Sequence, residues 1–110
     1  MISMEKALEI LLHDLKQKVE TVLEDVEAEF ILYGSRARGD FDHDSDIDVA
    51  IIVPGLTREL KDRILEAVAV VEFEYSRAIS TLVFSKREFD RLVERERRIA
   101  VDIRHEGIAL

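Results

Sequence analysis

Residues 33–53, YGSRARGDFDHDSDIDVAIIV, decide how the rest of this chain is read. Asp40, Asp42, Asp44, Asp46 and Asp48 fall on every second position, and the chain then turns abruptly apolar. In extended backbone, alternate side chains share a face, so these carboxylates crowd one another and need something to neutralise them. They divide into two sets. Asp40, Asp42 and Asp44 follow Gly39 in a loop, where aspartate serves turn chemistry and stays solvated. Asp46 and Asp48 run directly into VAII, where partial burial makes an unpartnered carboxylate costly. A metal ion or an arginine is expected beside them. As i and i+2 on one strand they project from one face, roughly 6–7 Å apart. Two hard oxygen ligands at that separation share one Mg²⁺ or bridge a pair of ions.

Immediately upstream, Gly34-Ser35 leaves one strand and enters a short helical turn. Such a turn offers an anion its backbone N–H groups, a hydroxyl and the positive end of a helix dipole. Arg36 and Arg38 add guanidinium groups that grip phosphate oxygens as a fork. Ser35 also reads as a simple helix N-cap, which uses the same geometry. A Gly-Ser turn by itself is only a turn; a phosphate cradle joined to a carboxylate pair is the equipment of phosphoryl transfer. A calcium loop of the EF-hand type fails in every register. Starting at Asp40, Asp42 or Asp44 puts Ser45, Ile47 or Val49 where glycine is needed, and Ile51, Val53 or Gly55 where glutamate is needed.

Around this centre the periodicities are clear. Leu8, Leu11, Leu12, Leu15, Val19, Val22, Leu23 and Val26 keep the three-four spacing of a helix over 4–27. EFILY (29–33) is a short strand, and DIDVAIIV (46–53) is a second one, stopped by Pro54-Gly55. Thr57 caps a helix carrying Leu60, Ile64, Leu65, Val68 and Val71, whose end near VVEFEY is ambiguous between helix and strand. AISTLVF (78–84) is a third strand. SKRE (85–88) is a capping box opening a last helix that Gly107 closes, with IAL as a tail. The order α-β-β-α-β-α, with a short helical turn after Gly34-Ser35, predicts an α/β fold: a small mixed sheet flanked by helices.

Composition bounds the partners. The 110 residues are 47% hydrophobic and 36% charged, the make-up of one globular domain over residues 1–110. With no cysteine, the cytoplasm is the default compartment, and no apolar run is long enough to span a membrane. The net charge is −8, with 13 acidic and 5 basic side chains in residues 1–55 and 11 of each in 56–110. That balance argues against nonspecific nucleic-acid binding and suits divalent cations. The late arginines, Arg87 to Arg104, read as a solvated helix face with Glu–Arg pairs.

Gly34-Ser35, ten residues, then Asp46-Ile47-Asp48 spell GS-x10-D-x-D. GSRARGDFDHDSDIDVAII resembles the minimal nucleotidyltransferases of the DNA polymerase β superfamily, and the closing IRHEGIAL is similar to that family's C-terminal segment. The resemblance implies a nucleotidyltransferase fold, with Gly34 and Ser35 on the triphosphate of ATP and Arg36 and Arg38 beside it. It makes Asp46 and Asp48 the catalytic metal ligands for Mg²⁺, as two ions. It also implies a separately encoded HEPN-domain partner, a toxin ribonuclease for which such a protein is the antitoxin, moving AMP from ATP to a tyrosine. Assembly into homo- or hetero-oligomers stays open. In one place the chain departs from the pattern. Active members carry a third carboxylate on the next strand, and AISTLVFS puts Ser80 there, with Glu72 and Glu74 as the nearest acidic alternatives. An interaction module that binds nucleotide and neutralises a partner by contact alone is therefore the rival reading.

Overall fold

Every side chain from Val49 to Val53 is buried, and the sheet is assembled around that run. The computed structural model describes residues 4–39 and 46–110. In chain order its elements are α1 (Met4–Leu23), β1 (Glu29–Tyr33), α2 (Ser35–Arg38), β2 (Ile47–Val53), α3 (Arg58–Tyr75), β3 (Ile79–Ser85), α4 (Lys86–Glu94), α5 (Arg98–Glu106) and β4 (Ile108–Ala109). The sheet order is β3-β2-β1-β4. β1 runs antiparallel to β2 and to β4, whereas β2 and β3 are parallel and joined by α3, so the sheet is mixed as expected.

The apolar run of β2 has a simple cause: helices cover both of its faces. Ile47, Val49, Ile51 and Val53 join a core with Leu11, Leu15 and Val19 of α1 and Ile64, Val68 and Val71 of α3. Ala50 and Ile52 point the other way, into a second cluster with Ile31, Tyr33, Phe89, Ala100 and Ile103. Asp46 and Asp48 have the parity of Ala50 and Ile52, so the strand's alternation sends both toward the face that α4 and α5 cover.

Local chemistry sets most of the boundaries. Thr57 Oγ1 accepts a hydrogen bond from the Leu60 N–H at 3.1 Å, capping α3. Ser85 Oγ accepts from the Glu88 N–H at 3.0 Å, which is the serine half of the expected capping box. The ambiguous VVEFEY is helical, and α3 ends where Ser76 turns left-handed with φ 51°.

Three expectations need correction. The first helix ends at Leu23 rather than near residue 27, because Glu24 adopts φ 58°, and Val26 is left exposed. The last helix is two helices. Glu96 takes φ 54°, with Glu96 N–H bonded to Val93 O and Arg97 N–H to Leu92 O, a Schellman-type end in which glutamate stands where glycine is usual. The IAL tail is not loose: Ile108 and Ala109 pair with Leu32 and Ile31, and the Leu110 N–H reaches Phe30 O at 2.8 Å. Gly107 permits this docking, since a Cβ there would collide with Ile103 O and the Ile31 side chain. Among the described residues, no helix is long and apolar enough to cross a membrane.

Candidate functional site

The register of the sheet gathers the site. Tyr33, last residue of β1, lies opposite Asp48, and Asp48 lies opposite Ser80 on β3. Gly34 follows Tyr33 directly, so the turn out of β1 is delivered onto the Asp48 carboxylate. A Cβ built at Gly34 would sit 2.5 Å from Asp48 Oδ2. Gly34 also holds φ 76° and ψ −156°, a conformation closed to side-chain-bearing residues. Glycine is thus required here twice over, by the backbone and by the carboxylate it touches.

After Gly34 the chain makes one helical turn, α2. Gly34, not Ser35, is its N-cap residue, and Ser35 is the first residue within the turn. The Ala37 and Arg38 N–H groups both bond to Gly34 O at 3.1 Å. One turn aligns too few peptide dipoles to add up to a macrodipole. What α2 offers an anion is its first N–H groups, which have no acceptor within the turn.

The two arginines part company. Arg36 is 5% exposed, the one buried charged side chain among the described residues. Arg38 stays at the surface and ion-pairs with Glu106 Oε2 of α5 at 3.1 Å. It is also near enough to Asp48 for its charge to favour the ionised carboxylate. A phosphate expectation resting on this pair therefore falls mainly on Arg38.

Asp46 is exposed and Asp48 half-buried. Burial pushes the Asp48 carboxyl above its ordinary pKa, and the neighbouring Asp46 charge pushes in the same direction. The Ser80 hydroxyl, hydrogen-bonded to Asp48, and the Arg38 charge both oppose the rise. Burial, with a smaller contribution from Asp48, likewise raises the Tyr33 phenol. The carboxylate is thus held in a place that disfavours its charge.

The donor set fits a hard divalent ion in kind: two carboxylates on one strand face, with no Cβ on the glycine pressed against the inner one. Among the described residues, no three His, Cys, Asp or Glu side chains come together. The two acidic alternatives are engaged elsewhere. Glu72 Oε2 accepts the Ile79 N–H at 2.9 Å, and Glu74 pairs with Lys18 at 3.5 Å. Asp40, Asp42 and Asp44 lie outside the described residues. Sequence reading left out two participants, Tyr33 and Glu106. The adjacency of Tyr33 to Gly34 was the only local signal for the first; Glu106, 68 residues from Arg38, had none.

Comparison with known proteins bears on this geometry. The model of the family described as "Nucleotidyltransferase domain" matches residues 8–106. A Methanocaldococcus jannaschii protein provisionally named a protein adenylyltransferase is 34% identical over 77 residues, covering 69% of this chain and 78% of its own length. A crystal structure of a Sulfolobus solfataricus protein, provisionally named a nucleotidyltransferase, aligns with 94% of this chain and 84% of that one. Its TM-score is 0.49 at 24% identity.

Proposed function

The chain belongs to the nucleotidyltransferase domain family, and from that premise we propose that it transfers AMP from ATP to a hydroxyl of a protein acceptor, a HEPN-domain partner. The observation that carries the reading is the contact of Gly34 with Asp48, which joins the phosphate turn to the Asp46/Asp48 pair. In the reaction the acceptor oxygen bonds to the α-phosphorus while the bond from that phosphorus to the departing pyrophosphate breaks. Gly34, Ser35 and the first N–H groups of α2 hold the triphosphate, and Arg38 screens its charge from the carboxylates. Asp46 and Asp48 would hold Mg²⁺. Such ions neutralise the triphosphate and activate the attacking hydroxyl when bound. The relative's provisional name supports adenylyl transfer to protein as the specific form of the activity.

A second reading has its own observation. Ser80, exposed and hydrogen-bonded to Asp48, occupies the position where active relatives were expected to carry a third carboxylate. A neutral hydroxyl leaves the cation one charge short, which favours a slow enzyme or a nucleotide-binding module acting by contact. One assay separates the two. Purified protein is incubated with labelled ATP, Mg²⁺ and the purified HEPN-domain partner, and label on the partner is counted. Asp46→Asn and Asp48→Asn are each expected to cut labelling by at least about 100-fold. If wild type leaves the partner unlabelled, and both variants neutralise it as well as wild type does, the contact-only reading replaces transfer.

A further inference from the structure

Acidic side chains suit the start of a helix, and Glu106 stands at the end of one. It is the last residue of α5, where the unsatisfied carbonyls form the negative pole. Its neighbours Arg104 and His105 are what local chemistry favours there. A side chain that local rules disfavour points to a compensating contact elsewhere in the fold. That contact is Arg38, whose Nη1 donates to Glu106 Oε2 at 3.1 Å.

Both partners are mounted on the sheet. Arg38 ends the single turn that follows β1, with its own N–H bonded to Gly34 O and the left-handed Gly39 behind it. Glu106 immediately precedes Gly107, which packs closely against Ile31 of β1, and then β4, which pairs with Ile31 and Leu32. In the same last turn of α5, Arg104 pairs with Glu29 at the start of β1, at 2.7 Å. The Arg104 guanidinium also lies 4.8 Å from the centre of the Phe89 ring. β1, α2, the ion pair, α5 and β4 therefore make a closed frame around the turn that leaves β1.

Magnitude decides what the pair is for. The Arg38 and Glu106 side chains are 44% and 37% exposed, and a pair this open to water adds little to stability. What it fixes is position. Arginine is long and rich in rotamers, and ordering such a side chain only when a ligand arrives weakens binding. Tied to Glu106, the guanidinium already stands beside the phosphate turn, near enough to Asp48 for its charge to be felt there.

On the reading of Gly34 to Arg38 as the triphosphate site, we propose that Glu106 is a positioning residue. It holds the Arg38 guanidinium at the turn, so that an incoming nucleoside triphosphate meets a cation already in place. The opposite arrangement, with Glu106 as a rival that the triphosphate must displace, predicts tighter binding once the carboxylate is removed.

Two measurements test the role, one of them without nucleotide. In NMR relaxation of the free protein, the Arg38 Nε–H group is expected to be ordered in wild type and mobile in Glu106→Ala. In calorimetric titration with α,β-methylene-ATP and Mg²⁺, Glu106→Ala should weaken binding roughly 3- to 10-fold, the cost of ordering one long side chain. In an Arg38→Ala background the same change should have no effect, because Glu106 acts only through Arg38. The melting temperature of Glu106→Ala should stay within about 3 °C of wild type, which a mainly structural role would not allow. The role is overturned if Glu106→Ala binds the analogue as well as wild type or better, or if the loss is equal in both backgrounds. It is also overturned if the Arg38 Nε–H is as ordered without Glu106 as with it. Wild type that binds no analogue at all overturns the triphosphate reading as well, whereas intact binding by Glu106→Ala removes the role of Glu106 alone.

Discussion

Asp46 to Asp48 and Val49 to Val53 are consecutive stretches of one chain, and they are made in opposite ways. From Val49 onward no side chain is more than 1% exposed, and two helical layers clamp the strand. At the other end, Asp48 is half-buried with its charge disfavoured, next to a second carboxylate and against a glycine in a strained conformation. The buried half supplies the rigidity that the charged half needs. A carboxylate pair on a loose segment would swing apart to relieve its repulsion; on the best-packed strand of the sheet it is held together. The contrast teaches where strain is affordable, namely one residue away from a run of five fully buried side chains.

The comparison can be broken at either half. The largest expected effect is in the packed half: Ile51→Ala should cost about 3 kcal/mol or more in urea denaturation, from lost burial and the cavity left behind. A loss under about 1 kcal/mol would mean that β2 is not the clamp described. Next comes the junction. Gly34→Ala should cost about 2 kcal/mol, from the left-handed backbone together with the clash on Asp48 Oδ2. In an Asp48→Ala background the clash is gone, and the cost should fall to about 1 kcal/mol. An equal cost in both backgrounds would show that Gly34 and Asp48 are not coupled.

A smaller effect tests the disfavoured charge. Burial and Asp46 let the folded protein keep the Asp48 proton to higher pH than the unfolded chain does. The folded state therefore binds the extra proton, and stability falls as pH rises from the ordinary carboxylate value of 3.8 through the raised folded pKa. Asp48→Asn should melt above wild type at pH 7 without metal, and the gap should close toward acid pH. Millimolar Mg²⁺ should raise the melting temperature of wild type and not that of the variant. A gap that widens on acidification would reverse the sign of this account. The smallest effect is at Ser80. Removing its hydroxyl in Ser80→Ala should raise the Asp48 pKa further and change stability by no more than about 1 kcal/mol; NMR titration of the Asp48 carboxyl reads the direction.

Much of this was legible in the chain itself. The alternation before an unbroken apolar run marked both halves of β2, because each obeys a local periodicity. Thr57 and Ser85 announced helix starts, because a hydroxyl accepting a backbone N–H three residues on is a local bond. Glu96 announced nothing, since a left-handed glutamate carries no glycine or proline signal. β4 was equally silent: two residues show no period, and they form a strand only because β1 lies there to pair with them. Arg36 and Arg38 looked equivalent in sequence, two residues apart in one turn, and burial separated them.

What the sequence determined by itself is therefore everything that depends on neighbours in the chain. That covers the helical and extended stretches, the glycine turn, the Asp46-x-Asp48 pair, and the family pattern these spell together. The tertiary structure decided which of them meet. Gly34 lies against Asp48, Ser80 bonds to it and Arg38 turns to Glu106 because sheet register and helix packing close long loops, and no local propensity encodes those distances. Register also chose which side of β2 the carboxylates face, since a shift of one residue would have sent them into the core.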